Sequence, residues 1–533
     1  MFYVNFSNAV VAFCISVCYT YDSNALTTIK KGVYKMHKRI LSFIMAALLL
    51  ASSFTACSEN SSENEENETT QEETAVDAAA ETETETETED SRASVEDGLP
   101  ERDFGGATFT LLTRDDYIDT FMPEELTGEG VNDTLYQRNL KISDRFNVAM
   151  QYVSHPCNYG DQATQWNNLL ANSVTSGDGA YDLVAGYAAT VVNIVSKGIF
   201  RNWNEVPYVN MSQPWWSEQI QDAFTVNGKM FYMTGDYSLS LWSNMYAFIF
   251  NKEIAENYNI ENLYDVVREG KWTLDKLQEI SEKCSSDIDG NGVYDENDAY
   301  GMTSNWSTAI DTFQISCGMK VLSKTESGSL EFTLNNERST AVLEKVNKLY
   351  HESHGAYAAD GDAYFDKIYL DGRALFFPQY FDGTTKLREM DADYGILPYP
   401  KFDEEQENYI NTSRDNFDLF ALTIDVKDVE MSGIITEALA AESYRTVIPQ
   451  YYDVVLKVKN SRDEDSAEMI DIIRDTLSFD LGYLCSSTLN GAGHFFVNLV
   501  RINSSDIASK CASSERSINK LLKKMLEAYG VEE

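Results

Sequence analysis

The chain has little histidine, five residues, and little positive charge, 42 Lys and Arg against 85 Asp and Glu. The formal net charge of -43 excludes nucleic acid and anionic lipid as partners, because both reward clustered Lys/Arg and repel dense carboxylates. A neutral or cationic ligand suits that balance. The histidines offer little chemistry: His351-Glu352-Ser353-His354 lacks the spacing of a zinc-protease helix, and His155 and His494 stand alone. Neither a phosphate loop nor a nucleophile elbow is present. Cysteines are few: Cys14, Cys18 and Cys57 lie in or before an export segment, and Cys157, Cys284, Cys317, Cys485 and Cys511 are scattered, with no metal spacing and no disulfide framework. The apolar run from Ile40 to Ala51 falls short of the roughly 20 residues that spanning a bilayer takes.

What is present begins with an address. From Met36 the chain reads MHKRILSFIMAALLLASSFTAC: a basic start, the apolar run, then small residues leading to Cys57, so 36–56 is expected to be a secretory signal. The tetrapeptide Phe54-Thr55-Ala56-Cys57 resembles the lipobox of bacterial lipoproteins. That resemblance implies a diacylated Cys57 as the new first residue, holding the chain to the outer face of the cytoplasmic membrane. Residues 1–35 sit awkwardly ahead of the signal and are expected to be untranslated, since Lys31-Gly32-Val33 can be encoded by a ribosome-binding sequence two codons before Met36. From Cys57 to about residue 103 the chain is Ser, Asn, Glu and Thr, including an alternating Glu-Thr repeat from Glu81 to Glu89. With almost nothing apolar to bury, it is expected to be a disordered acidic tether with an r.m.s. reach of about 35 to 40 Å.

The remaining roughly 430 residues, in a chain with 43% hydrophobic side chains, are enough for two domains or lobes. Ala107 to Leu112 reads as a strand delivering Arg114 and Asp115 at its carboxyl end. A helix from about Asp133, capped by Asn132, leads to a strand over Val148 to Val153. Trp166, Leu169, Leu170 and Val174 recur at helical spacing, and Tyr181 to Ala185 is a short strand ending at Gly186-Tyr187. Strand, helix, strand, helix, strand implies a parallel sheet, whose ligands sit beyond the carboxyl ends of the strands; Arg114, Asp115 and Tyr187 are therefore placed near any site.

From here the sequence resembles the extracellular solute-binding proteins, family 1 type, that serve carbohydrate ABC importers. The matching segments run in that family's order: YDLVAG (Tyr181 to Gly186), KGIFRNWNEV (Lys197 to Val206), PWW (Pro214 to Trp216), NGKMFYMTGD (Asn227 to Asp236), YAFIFNKEI (Tyr246 to Ile254), GKWTLDKL (Gly270 to Leu277), DGRALFF (Asp371 to Phe377), YGILPYPKFDEEQENY (Tyr394 to Tyr409) and SFDLG (Ser478 to Gly482). The resemblance implies an α/β, two-lobe periplasmic-binding-protein-like fold (type II) with the ligand cleft between the lobes. It assigns 104–240 and a return segment of about 378–415 to the first lobe, and 241–377 and 416–533 to the second, with the first crossing near Gly235 to Asn244. It further implies a monomer that captures a sugar or oligosaccharide and delivers it to ABC transporter permease subunits, touching the membrane only through its lipid. In the second lobe, Thr273 should cap a helix carrying Leu277, Ile280 and Cys284, and a further helix carries Leu343, Val346 and Leu349.

The most specific local chemistry is Asp287-Ile288-Asp289-Gly290-Asn291-Gly292-Val293-Tyr294-Asp295-Glu296-Asn297-Asp298. Oxygen side chains fall where a calcium loop needs them, at Asp287, Asp289, Asn291, Asp295 and Asp298, with glycine at the sharp turn and Val293 offering its carbonyl. Asp298 replaces the Glu usual in sensor loops and resembles the Asp of extracellular loops such as those of dockerins. A structural Ca2+ is the expected cofactor. The bland alternative is an Asn/Asp/Gly-rich turn without metal.

Sugars lay their C–H faces on aromatic rings and give their hydroxyls to Asp, Asn, Arg and Gln, and this chain is 12% aromatic. Position on the family's scaffold points to Asp236, Tyr237 and Trp242 at the first crossing, and to Phe377, Gln379, Tyr380, Phe381 and Asp382 at the return. Trp166 and Trp272 read as core; Trp203, Trp215 and Trp216 read either way. Asn411, Asp415 and Asn416 offer polar contacts or turn caps. The rivals are the same fold binding a peptide or other small solute, and a surface glycosidase. The latter needs two carboxylates about 5 to 9 Å apart, and nothing selects such a pair from 85 acidic residues. No enzyme is expected.

Overall fold

The structure is a computed structural model describing residues 92–360, 365–390, 392–460 and 463–531. The signal, Cys57, the tether up to residue 91 and the stretch 1–35 lie outside the described residues.

The first sheet is built from β1 (Ala107–Arg114), β2 (Val148–His155), β3 (Leu183–Tyr187) and, from far along the chain, β11 (Asp418–Ala421). Helix α1 (Gly130–Phe146) joins β1 to β2 and α2 (Asp161–Ser176) joins β2 to β3, so these three strands run parallel, with β1 central. Both faces are covered, as an uninterrupted apolar strand requires: Phe109 and Leu111 pack with Phe420 on one side, Leu112 with Trp166 and Val184 on the other. Gly186 is needed where α2 crosses β3, since a Cβ there would meet Val191 Cγ2 at 2.6 Å and the Trp166 ring at 3.0 Å. α1 begins earlier than expected. Asn132 is not its cap but donates to Glu125 O, while the Asp133 carboxylate accepts from the N–H groups of Thr127 and Gly128.

The second sheet has the order β10 (Tyr394–Leu397), β4 (Tyr246–Asn251), β9 (Ala374–Tyr380), β5 (Tyr300–Asn305), β8 (Ala356–Ala359), and a small hairpin of β6 (Leu322–Lys324) and β7 (Leu330–Phe332) stands apart. β9, β5 and β8 are parallel, whereas β4 runs against both its neighbours, pairing Tyr246 with Tyr380 and Phe248 with Leu397. The Thr273 hydroxyl caps helix α3 (Leu274–Cys284) through Lys276 N, as its position predicts. Helix α4 (Glu337–Asn347) buries Leu343 and Val346.

Three crossings join the lobes: the short helix Leu239–Ser243, the segment Asn411 to Asn416, and a helix that starts in the first lobe as α5 (Val429–Glu442) and continues through wide turns over Ser443–Val447 and Gln450–Asn460. The first two are laced together by Tyr246 N donating to Thr412 O and Arg414 N to Asn244 O. This corrects the expected return. Within the proposed first-lobe segment 378–415, β10 and the end of β9 flank β4 in the second sheet; the chain re-enters the first lobe at β11 and α5, inside the stretch expected in the second. The lobes also touch at one flank, where Asn193 exchanges hydrogen bonds with Leu484 O and Thr488 N. The five described cysteines are buried and unpaired.

Candidate functional site

The carboxyl ends of β1 and β3 and the start of β11 share one edge of the first sheet, because Asp418 pairs with Tyr187 and Arg114 with His155. The ends of β5, β8 and β9 and the start of β4 share one edge of the second. Arg114 closes β1. Its guanidinium is fully buried, forks onto the Asp116 carboxylate, donates to Asn416 O, and lies between the rings of Tyr117 (4.5 Å) and Tyr187 (4.8 Å). Burial opposes that charge, but Asp116 and Asp418 outweigh it and hold the group above its ordinary value. Burial likewise pushes the Tyr117 phenol up to about 12, so it remains a neutral donor and acceptor, paired with the Asn244 amide at 3.1 Å.

The second crossing adds Arg414 and Asp415. Tyr187 donates to Asp415 Oδ1 at 3.0 Å, and burial raises the Asp415 carboxyl against the pull of Arg414. Arg414 lies over the Tyr380 ring at 5.0 Å, and its buried Nε has no hydrogen-bond partner. From the second lobe come Tyr246, bonded to the Thr308 hydroxyl and edge-on to Tyr380, and His494, whose Nδ1 lies 2.7 Å from Asp311 Oδ2. The arrangement brings aromatic rings, hydroxyls and guanidinium groups from both lobes together, a set of groups suited to a polar, ring-bearing ligand.

The expected residues divide. Arg114, Tyr187, Tyr380 and Asp382 belong to these edges, with Asp382 close enough for Arg414 to lower its carboxyl against the larger effect of burial. Asp115 is exposed beside Arg114, its N–H held by His155 O. Gln379 is 7% exposed and turns its Oε1 back onto Tyr380 N. Tyr237, Phe377 and Phe381 are core instead: Tyr237 stacks on Phe420 at 5.3 Å under Arg138, Phe377 stacks on Tyr369, and Phe381 is walled in at 1% exposure. Asp236 and Trp242 line a separate cavity in company with Trp216. Asn411 is structural, accepting from Tyr399 N and donating to Thr476. Tyr117, Asn244, Tyr246, Asp311, Arg414 and His494 were missed, and only Asn244 and Tyr246, flanking the first crossing, carried a positional signal.

In the loop Asp287 to Asp298, carboxylate oxygens of Asp287, Asp289 and Asp298 lie within 4.8 Å of one another, Asp298 being fully buried. The N–H groups of Gly290 and Gly292 both point at Asp287, and the Gly292 bond leads in holding that carboxyl below its usual range. Asn291 Oδ1 accepts from Val293 N, and Asp295 Oδ1 is occupied by Asn297. Three converging carboxylates suit a divalent ion bound by oxygen.

No protein-family model and no curated protein sequence matches the chain. Solved structures do. The cyclic α-maltosyl-1,6-maltose-binding protein of Arthrobacter globiformis superposes with a TM-score of 0.54 at 13% identity, over 79% of this chain and 100% of that one. A cyclo/maltodextrin-binding protein complexed with maltotetraose gives 0.51 at 13%, over 79% and 97%. The galacto-N-biose/lacto-N-biose I-binding protein of the ABC transporter of Bifidobacterium longum, with lacto-N-biose, gives 0.50 at 13%, over 79% and 99%. At this identity the likeness establishes the fold: two α/β lobes in the type II periplasmic-binding-protein arrangement.

Proposed function

We propose that this chain is the extracellular receptor of an ABC importer, capturing a sugar or short oligosaccharide between its lobes and delivering it to the permease subunits. The observation that carries the reading is the meeting of Arg114, Tyr117 and Tyr187 with Tyr246, Tyr380 and Arg414 across facing strand edges. It is supported by a fold shared with proteins that bind maltotetraose and lacto-N-biose. The ring faces of Tyr380 and Tyr117 turned away from Arg414 and Arg114 would offer platforms for the C–H faces of a sugar, and Arg414 and Asp415 would receive hydroxyls. Closure removes both from water, and release requires the transporter to favour the open state. The protein acts by binding alone and carries out no chemistry on the sugar.

In this reading Cys57 carries the lipid, the acidic tether holds the lobes off the outer face of the cytoplasmic membrane, and the receptor works as a monomer. Asp287, Asp289 and Asp298, with Asn291, Asp295 and the Val293 carbonyl, would hold a Ca2+ that supplies structural cross-linking between α3 and β5.

The test is a thermal-shift screen of the full chain, in calcium, against oligosaccharides, peptides and other small solutes, since a ligand that binds only the folded state raises its stability. A shift with one sugar class, the sugar recovered intact, supports the receptor. Stabilisation by peptides alone overturns the sugar assignment, and hydrolysis of the sugar would reinstate a glycosidase.

A further inference from the structure

Apart from the strand-edge cleft, the lobes enclose a cavity of about 700 Å3 lined by Trp215, Trp216, Asp236 and Trp242 from the first lobe and first crossing, Tyr444 and Ile448 from the third crossing, and Arg474 and Asp475 from the second lobe. That volume lies within the roughly 300–1,000 Å3 of small-ligand sites. None of Arg114, Tyr187, Tyr380 or Arg414 reaches it. The short helix that leads to Asn244 at the front cleft sends Trp242 into this cavity.

The walls are rigidly built. Both indoles at 215 and 216 donate to the same buried carboxylate, Glu437, at 3.0 and 2.9 Å. Their backbone is clamped to the opposite strand by Asp236 N donating to Trp215 O. Gly235 permits that approach, because a Cβ there would fall 2.0 Å from Trp215 O. Trp242 lines the same cavity, its buried indole N–H turned toward the Asp236 carboxyl, which it pulls down against the larger effect of burial. Asp236 itself is 4% exposed. Arg92, over the Tyr444 ring at 5.5 Å, has a buried Nη1 with no hydrogen-bond partner among the described residues.

The charges cancel: Arg92 and Arg474 stand against Glu218 and Asp475, with burial favouring the neutral form of Asp236, and Arg474 is already held by Asp475 at 2.8 Å. Aromatic walls, a recessed carboxyl and a guanidinium N–H to spare, without net charge, suit a neutral polyhydroxylated ring better than an ion. We propose that this cavity is a second saccharide site, holding a neutral sugar ring between Trp216 and Trp242 with its hydroxyls on Asp236 and Arg92. It is independent of the front cleft and of what that cleft binds.

The experiment is fluorine NMR of the full chain labelled with 5-fluorotryptophan, whose seven tryptophans give separable resonances assigned by Trp→Phe variants. Maltose, cellobiose, lactose and xylobiose are titrated in turn. Trp306, following β5 at the cleft edge of the second sheet, reports the front; Trp216 and Trp242 report the cavity. The expected result is a saturable shift of Trp216 and Trp242 with at least one sugar. It should survive Arg414→Ala and weaken at least tenfold in Asp236→Ala. Ser212→Phe, which fills the cavity mouth from an exposed position, should abolish it while leaving Trp203 in the core unmoved. If none of the four sugars moves Trp216 and Trp242, or if Arg414→Ala removes their response together with that of Trp306, the proposal is overturned. A response of Trp216 and Trp242 with Trp306 silent would remove the front sugar assignment and leave the second site standing.

Discussion

The Arg414 guanidinium rests 5.0 Å from the centre of the Tyr380 ring, so the second crossing and the last residue of β9 meet at the mouth of the front cleft. A ligand that binds against Tyr380 would therefore also meet the Arg414 guanidinium.

Tyr380→Ala should therefore weaken the sugar found by thermal shift at least about tenfold, the equivalent of about 1.4 kcal/mol, while Tyr380→Phe keeps most of the affinity. Titration calorimetry reads this directly. Equal affinities for wild type and Tyr380→Ala would remove Tyr380 from the site.

Burial raises the Asp236 carboxyl from its ordinary 3.8 to about 8, against the opposing pull of Arg92, so the fold prefers its protonated form. The native state then holds a proton that the unfolded chain releases, and stability falls as pH rises from about 4 to about 8. Asp236→Asn should melt near the wild type at about pH 4 and several degrees higher at about pH 9. Glu437, raised by burial to about 7, leaves a residual slope in both proteins. A variant melting lower than wild type at about pH 9 would contradict this account.

If calcium occupies the Asp287 to Asp298 loop, free Ca2+ at a hundred times its Kd adds about 2.7 kcal/mol to the folded state. Asp298→Asn and Asp287→Asn should each abolish the calcium-dependent rise in melting temperature, and magnesium should substitute poorly. A melting temperature indifferent to calcium and chelator would leave the loop a plain turn.

Burial works against a charged His494, but the Asp311 hydrogen bond outweighs it and lifts the imidazole above its ordinary 6.5. Its stabilisation is complete below 6.5 and lost as pH rises through the folded-state value. In Asp311→Asn the His494 ring should titrate lower, as proton NMR of its Cε1–H would record. An unchanged midpoint would mean that Asp311 does not set it.

The first lobe was legible because its signals are local. Alternating strands and helices from Ala107 to Tyr187 dictate parallel pairing, and parallel pairing places Arg114 and Tyr187 at one edge. The second lobe was less so. Whether Ala374–Tyr380 and Tyr394–Leu397 flank β4 or return to the first sheet depends on partners over a hundred residues away, and an uninterrupted apolar run pairs equally well in either place. The same limit governs the site. Tyr237 and Trp242 lie five residues apart on one short segment, yet one enters the core against Phe420 and the other lines a cavity. Arg414, between Ser413 and Asp415, had no periodicity to mark it, since its place follows from backbone bonds to Asn244.

The helix leaving α5 through Ser443–Val447 and Gln450–Asn460 has a kinetic consequence. Its i→i+5 spacing is a turn geometry that natural helices reserve for short bulges, often at functional sites. The two other crossings are short, so in the proposed opening of the lobes torsion would fall on this third, longer connection. In the proposed receptor, the rate at which a ligand leaves the front cleft would be tied to the stiffness of a segment outside that cleft, and a residue deleted there to restore regular turns would slow exchange in both directions.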